Sequence, residues 1–210
     1  MEFTFQHSKT YRAEIRNPIS DSTTVLYALH GYGQLAKYFM RKLYDLPEDI
    51  LLVVPEGMHR FYLNGTGGRV GASWMTKEAR EIDIADNLAW LDALDARITK
   101  KYGIQKRYVL GFSQGGATAL RWAFHGQISM DALCIWASDF PPDLFDATPK
   151  ELRPICHYLI GDKDPYFRAD RQDELCSLFR SKGFEIHQFD GEHDIDTKIL
   201  KPLISQFHSH

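Results

Sequence analysis

The chain has 210 residues, 44% of them apolar and 25% charged, with a formal net charge of -3; this suits one globular domain over 1–210 and gives no basic footprint for nucleic acid. Met1 to Tyr11 holds no apolar run of signal-peptide length, and no segment approaches the roughly eighteen apolar residues of a membrane span, so a soluble, cytoplasmic protein is expected. Cys134, Cys156 and Cys176 lack metal-like spacing and read as buried free thiols.

The first runs, Phe3 to Phe5 and Tyr11 to Arg16, suit an antiparallel edge. Val25 to Leu29 and Leu51 to Val54 are continuous apolar runs, the pattern of strands buried on both faces. Gly57 to Ser73 carries His59, Arg60, Tyr62, Asn64, Arg69 and five glycines, and reads either as the rim of a pocket or as a plain surface loop. From Glu78 to Tyr102, the residues Ile84, Leu88, Leu91, Ile98 and Tyr102 share one helical stripe, which Gly103 stops. Tyr108 to Leu110 predicts a strand and Ala117 to His125 a helix ended by Gly126. Ala132 to Ala137 and Ile155 to Ile160 predict strands, and Phe167 to Lys182 a helix ended by Gly183. Glu185 to Phe189 is the last strand, and Ile199, Leu203 and Phe207 mark a helix over about Asp196 to His208, kinked or started late by Pro202. Strands alternating with helices predict an α/β architecture, a mostly parallel central sheet with helices on both faces.

In such a sheet ligands bind beyond the carboxyl ends of the strands. Gly111-Phe112-Ser113-Gln114-Gly115-Gly116 stands between a strand and a helix, where a serine flanked by glycines sits on a sharp turn with its hydroxyl outward. A helix-capping serine in an ordinary turn is the competing reading. Three other strand ends lead into His30-Gly31-Tyr32-Gly33, Gly161-Asp162-Lys163-Asp164-Pro165 and Asp190-Gly191-Glu192-His193. Singly, each is also an ordinary turn, and His193 also a surface histidine in an acidic patch. Together they place a nucleophile, an acid and a histidine in chain order, each at the end of its own strand. A serine hydroxyl needs a base, and the base needs an anion to fix its tautomer. Ser113, His193 and Asp164 fit those roles, with the backbone N–H groups of Gln114 and Tyr32 as oxyanion donors.

On these residues the chain resembles the phospholipase/carboxylesterase group of α/β-hydrolases, small lidless serine esterases that include acyl-protein thioesterases. The likeness runs from about Val25 to Phe207 and rests on Leu29-His30-Gly31-Tyr32-Gly33, the Ser113 elbow, Gly161-Asp162-Lys163-Asp164-Pro165 and Gly191-Glu192-His193. The resemblance implies an α/β-hydrolase fold without a separate lid domain. It implies a serine esterase with Asp164 as the triad acid and Asp162 as its structural neighbour, acting on small acyl esters or thioesters with neither cofactor nor metal. The chain departs from the family at Ser138-Asp139-Phe140-Pro141, where relatives carry Ser-Gly, an apolar residue and Pro. Asp139 is therefore a rival acid and a candidate substrate contact. Trp74 matches an aromatic that lines the pocket in relatives, with core packing as its competing role. Phe140, like Trp136 and Tyr166, flanks a strand end as a candidate apolar wall. The alternatives are a peptidase or acyltransferase on the same triad, and a catalytically silent ligand-binding protein on the same scaffold.

Overall fold

A computed structural model describes residues 3–19, 21–147 and 155–208. In chain order the elements are β1 (Ala13–Arg16), β2 (Thr24–Leu29), α1 (Ala36–Lys42), β3 (Leu51–Pro55), β4 (His59–Asn64), β5 (Gly67–Ser73), α2 (Arg80–Tyr102), β6 (Lys106–Phe112), α3 (Gln114–His125), β7 (Ala132–Trp136), β8 (Ile155–Gly161), α4 (Ala169–Ser181), β9 (Glu185–Phe189) and α5 (Thr197–His208), with a short 3-10 turn at Pro142–Leu144. Seven strands form one sheet in the order β1-β3-β2-β6-β7-β8-β9. All neighbours run parallel except β1, which pairs antiparallel with β3.

The continuous apolar runs become the buried centre. Every residue of β2, β3 and β7 is buried, and each fully buried Leu, Ile or Val in them contributes roughly 1.5–3 kcal/mol. Gly103 ends α2 in the left-handed conformation, φ 67°, returning its N–H to the Thr99 carbonyl. The chain order of the strands reverses direction across β2 and β6, whose carboxyl ends lie side by side with Leu29 opposite Gly111. That is where an open parallel sheet leaves a crevice.

Two local readings change, one helix is added and one is located. Phe3 and Phe5 lie outside any strand, exposed and stacked on one another at 6.2 Å. Gly57 to Ser73 is neither a loop nor shapeless: it holds the antiparallel hairpin β4–β5. Helix α1 has only seven residues and no side-chain cap, so tertiary burial of Ala36, Phe39 and Met40 holds it rather than any local signal. Pro202 sits inside α5 without ending it. Burial of Leu200, Leu203, Ile204 and Phe207 outweighs the one hydrogen bond the ring removes.

Candidate active site

Ser113 joins β6 to α3 at φ 53° and ψ -120°. That region is sparsely populated for a residue with a Cβ and costs on the order of 1–3 kcal/mol. Two features hold the turn. The Ser113 N–H donates to the Trp136 carbonyl at the end of β7 (2.9 Å), and α3 packs so close to β2 that a Cβ on Gly115 would lie 2.3 Å from the Leu29 carbonyl oxygen. Because α3 begins at Gln114, its positive end faces the serine.

His193 reaches both of its expected partners. Its Nδ1 lies 2.6 Å from Asp164 Oδ2 and its Nε2 lies 3.0 Å from Ser113 Oγ. An ionised carboxylate only accepts, so Nδ1 carries the proton, and Nε2 is left as the acceptor for the serine hydroxyl. Asp164 is 4% exposed, and its second oxygen accepts the Tyr166 N–H at 2.9 Å. The two loops that carry acid and base are tied together. The Lys163 N–H donates to the Gly191 carbonyl at 2.9 Å, and Asp162 Oδ1 accepts the Gly191 N–H at 3.2 Å. A Cβ on Gly161 would lie 2.2 Å from that same carbonyl oxygen. Beyond His193, the Asp194 carbonyl accepts the Trp136 indole N–H at 3.0 Å and its carboxylate pairs with Lys42.

At the end of β2, the Gly31 N–H donates to Gln34 Oε1 (3.0 Å) and the Gly33 N–H to the Ala72 carbonyl of β5 (2.8 Å). Between them, the Tyr32 N–H meets no acceptor among the described residues, and neither does the Gln114 N–H. The loop is braced from behind by His30. Its Nε2 accepts the Gly57 N–H at 2.9 Å, so Nδ1 carries the proton and donates to the Gly31 carbonyl at 2.8 Å. Burial pushes this imidazole down to about 4, against the upward pull of the Gly31 carbonyl and Glu56, and the neutral ring suits both bonds.

Two residues expected at the substrate surface, Trp74 and Phe140, lie in the core, and Asp139 does not meet the histidine. Trp74 is fully buried, stacked on Trp90 at 6.1 Å, and its indole N–H donates to the His30 carbonyl at 2.8 Å. It supports the His30–Gly33 loop from the core instead of lining a pocket. Phe140 is also buried, edge-on to Phe124 and Phe179. Asp139 is exposed and pairs with Arg171 at 2.8 Å, not with His193. The exposed aromatic at His193 is Tyr166, 75% exposed with its ring 4.5 Å away, while the buried Phe112 packs on the imidazole at 5.0 Å.

Sequence reasoning also missed what the Gln114 side chain does. Its Oε1 accepts the Trp74 N–H at 3.1 Å and its Nε2 donates to the Met75 carbonyl at 2.8 Å, with Ser73 Oγ in contact with both ends. The first residue of α3 thereby fastens the hairpin's return strand to the serine turn. Past the His30–Gly33 loop a groove of about 430 Å³ runs between α1 and β5, with Gly33, Tyr38, Phe39, Lys42 and Arg69 among its lining.

No family model matches the chain, and no curated protein sequence does. Among solved structures it is similar to esterase PE8 (TM-score 0.72, 20% identity, 96% of this chain and 99% of that one). It is similar as well to the Bacillus cereus carboxylesterase (TM-score 0.69, 15% identity, 95% and 94%) and to Zea mays acyl-protein thioesterase 2 (TM-score 0.65, 17% identity, 94% and 98%). The chain has the α/β-hydrolase fold of these proteins, over nearly its whole length.

Proposed function

We propose that the chain is a serine hydrolase of carboxylic esters, thioesters included, working through an acyl-enzyme. The observation that carries this reading is His193 held between Asp164 at 2.6 Å and Ser113 at 3.0 Å. Ser113 Oγ attacks the acyl carbonyl carbon while its proton passes to His193 Nε2. Negative charge gathers on the carbonyl oxygen, which accepts hydrogen bonds from the Tyr32 and Gln114 N–H groups as a pair of fixed donors. Such a donor is worth roughly 3–4 kcal/mol in the barrier because it needs no reorganisation. The imidazolium, paired with Asp164, then protonates the departing alkoxide or thiolate, leaving the acyl group on Ser113 Oγ. Water repeats the sequence with His193 as base and releases the acid. Esterase, carboxylesterase and thioesterase neighbours with the same fold support the reaction class.

The test is the initial rate of hydrolysis of p-nitrophenyl esters from acetyl to dodecanoyl, with a thioester of matched chain, by wild type and Ser113→Ala. Turnover lost in the variant at unchanged melting temperature supports the reading, and the chain-length optimum sizes the acyl site. Full turnover by Ser113→Ala overturns it. Product analysis separates hydrolysis from acyl transfer to an added alcohol or amine.

A further inference from the structure

The opposite, amino-terminal end of β8 and β9 carries a second cluster of chemically active side chains, which the acyl-transfer chemistry does not use. Glu185 and His187 are two apart on β9 and so share one face of the sheet. His157 of β8 stands in register with Glu185 and falls on that same face. The juxtaposition is tight. His157 Nδ1 and His187 Nε2 point at one another across 2.8 Å. Glu185 Oε2 lies 3.7 Å from the first nitrogen and Oε1 lies 3.6 Å from the second. His157 is 3% exposed under the Phe207 ring of α5, whereas Glu185 is largely open to solvent.

We propose that His157, His187 and Glu185 form a binding site for a zinc-class divalent ion, with water completing the coordination. Two imidazole nitrogens and one carboxylate are the donor set of borderline ions such as Zn²⁺, and a poor one for Ca²⁺ or Mg²⁺, which take oxygen. Zinc bound tetrahedrally at 2.0–2.1 Å would set its two nitrogens about 3.3 Å apart, so the rings need to separate by only about 0.5 Å. The exposed Glu185 side chain is free to swing in. His157 Nε2 has no hydrogen-bond partner among the described residues, and a bare nitrogen is the cheaper state for such a position. Without an ion, then, Nδ1 of His157 carries the proton and donates to His187. Binding moves that proton to Nε2, a cost that weakens the affinity. The bound ion would clip the edge strand β9 to β8. The loops that carry His193 and Asp164 follow the opposite, carboxyl ends of these strands, so the ion's effect is on stability.

The experiment is calorimetric titration of chelator-stripped protein with zinc chloride, paired with melting curves. Wild type should bind one Zn²⁺ per chain and melt roughly 5–10 °C higher at a hundredfold excess over Kd. His187→Ala and Glu185→Gln, both at partly exposed positions, should fold and lose tenfold or more in affinity together with most of the melting shift. His193→Ala should bind as wild type does. Three results overturn the proposal: unchanged binding in both His187→Ala and Glu185→Gln, binding that disappears with His193→Ala, or no saturable uptake by wild type. If His187→Ala does not fold, Glu185→Gln decides by the same criterion.

Discussion

Two neighbouring strands each end in an aspartate three residues on, Asp139 after Trp136 of β7 and Asp164 after Gly161 of β8. Only the second meets the histidine. At the end of β7 the chain turns at once, with Ala137 at φ 48° and Ser138 buried, and Asp139 is left exposed against Arg171. This strand end contributes instead to the serine turn, through the Trp136 carbonyl, and to the histidine loop, through the Trp136 indole. At the end of β8 the chain stays close to the Gly191 loop, which buries Asp164 and aims it at His193 Nδ1. Distance along a strand does not choose which aspartate meets the histidine. The bonds made by the turn that follows do.

Asp164→Asn breaks this comparison at its active half. The amide leaves the geometry in place but presents a donor to the imidazole, so His193 is held in the wrong tautomer and kcat should fall about 10⁴-fold with little change in melting temperature. Gln114→Ala keeps the backbone N–H but releases Trp74 and Met75 from the serine turn. A fall of about tenfold in kcat and roughly 1–3 kcal/mol in unfolding free energy is expected, read by steady-state kinetics and urea denaturation.

His30 gives a pH signature of the same architecture. Its folded value, about 4, is below the unfolded 6.5, so between those limits the unfolded chain binds more protons and stability rises with pH. The contribution is complete above pH 6.5 and is lost as pH falls to 4, roughly 3 kcal/mol in all. His157, also depressed by burial, adds in the same direction. Unfolding free energies measured across that range should slope upward, and His30→Gln should flatten the slope; an equal slope in the variant would contradict the brace. The smallest effect belongs to the other aspartate. Asp139→Asn removes a solvent-exposed pair with Arg171 and should leave kcat within about twofold.

Much of this was legible in the sequence, because continuous runs such as Leu51 to Val54 need burial on both faces and so declare the central strands. The polar residues just past those runs then fall at one edge of the sheet, which is why Ser113, Asp164 and His193 could be named together. The hairpin β4–β5 was missed although Asn64-Gly65 is a turn signal, since the glycines of β5 hide its alternation. Trp74 and Phe140 illustrate a different limit. Nothing local distinguishes an aromatic that walls a pocket from one that packs beneath it, and Trp74 is packed between Trp90 of α2 and the His30 loop, the latter far away in the chain. Nor does spacing reveal the cluster of His157 with His187, which exists only because β8 and β9 are neighbours in the sheet.

The most direct measurement is labelling with a fluorophosphonate ester, followed by peptide mass spectrometry and residual ester hydrolysis on the same sample. The account predicts one adduct, on Ser113, with hydrolysis falling in proportion to its formation and no labelling of Ser113→Ala. Hydrolysis that survives complete labelling, or an adduct on another residue that tracks the lost activity, would contradict it.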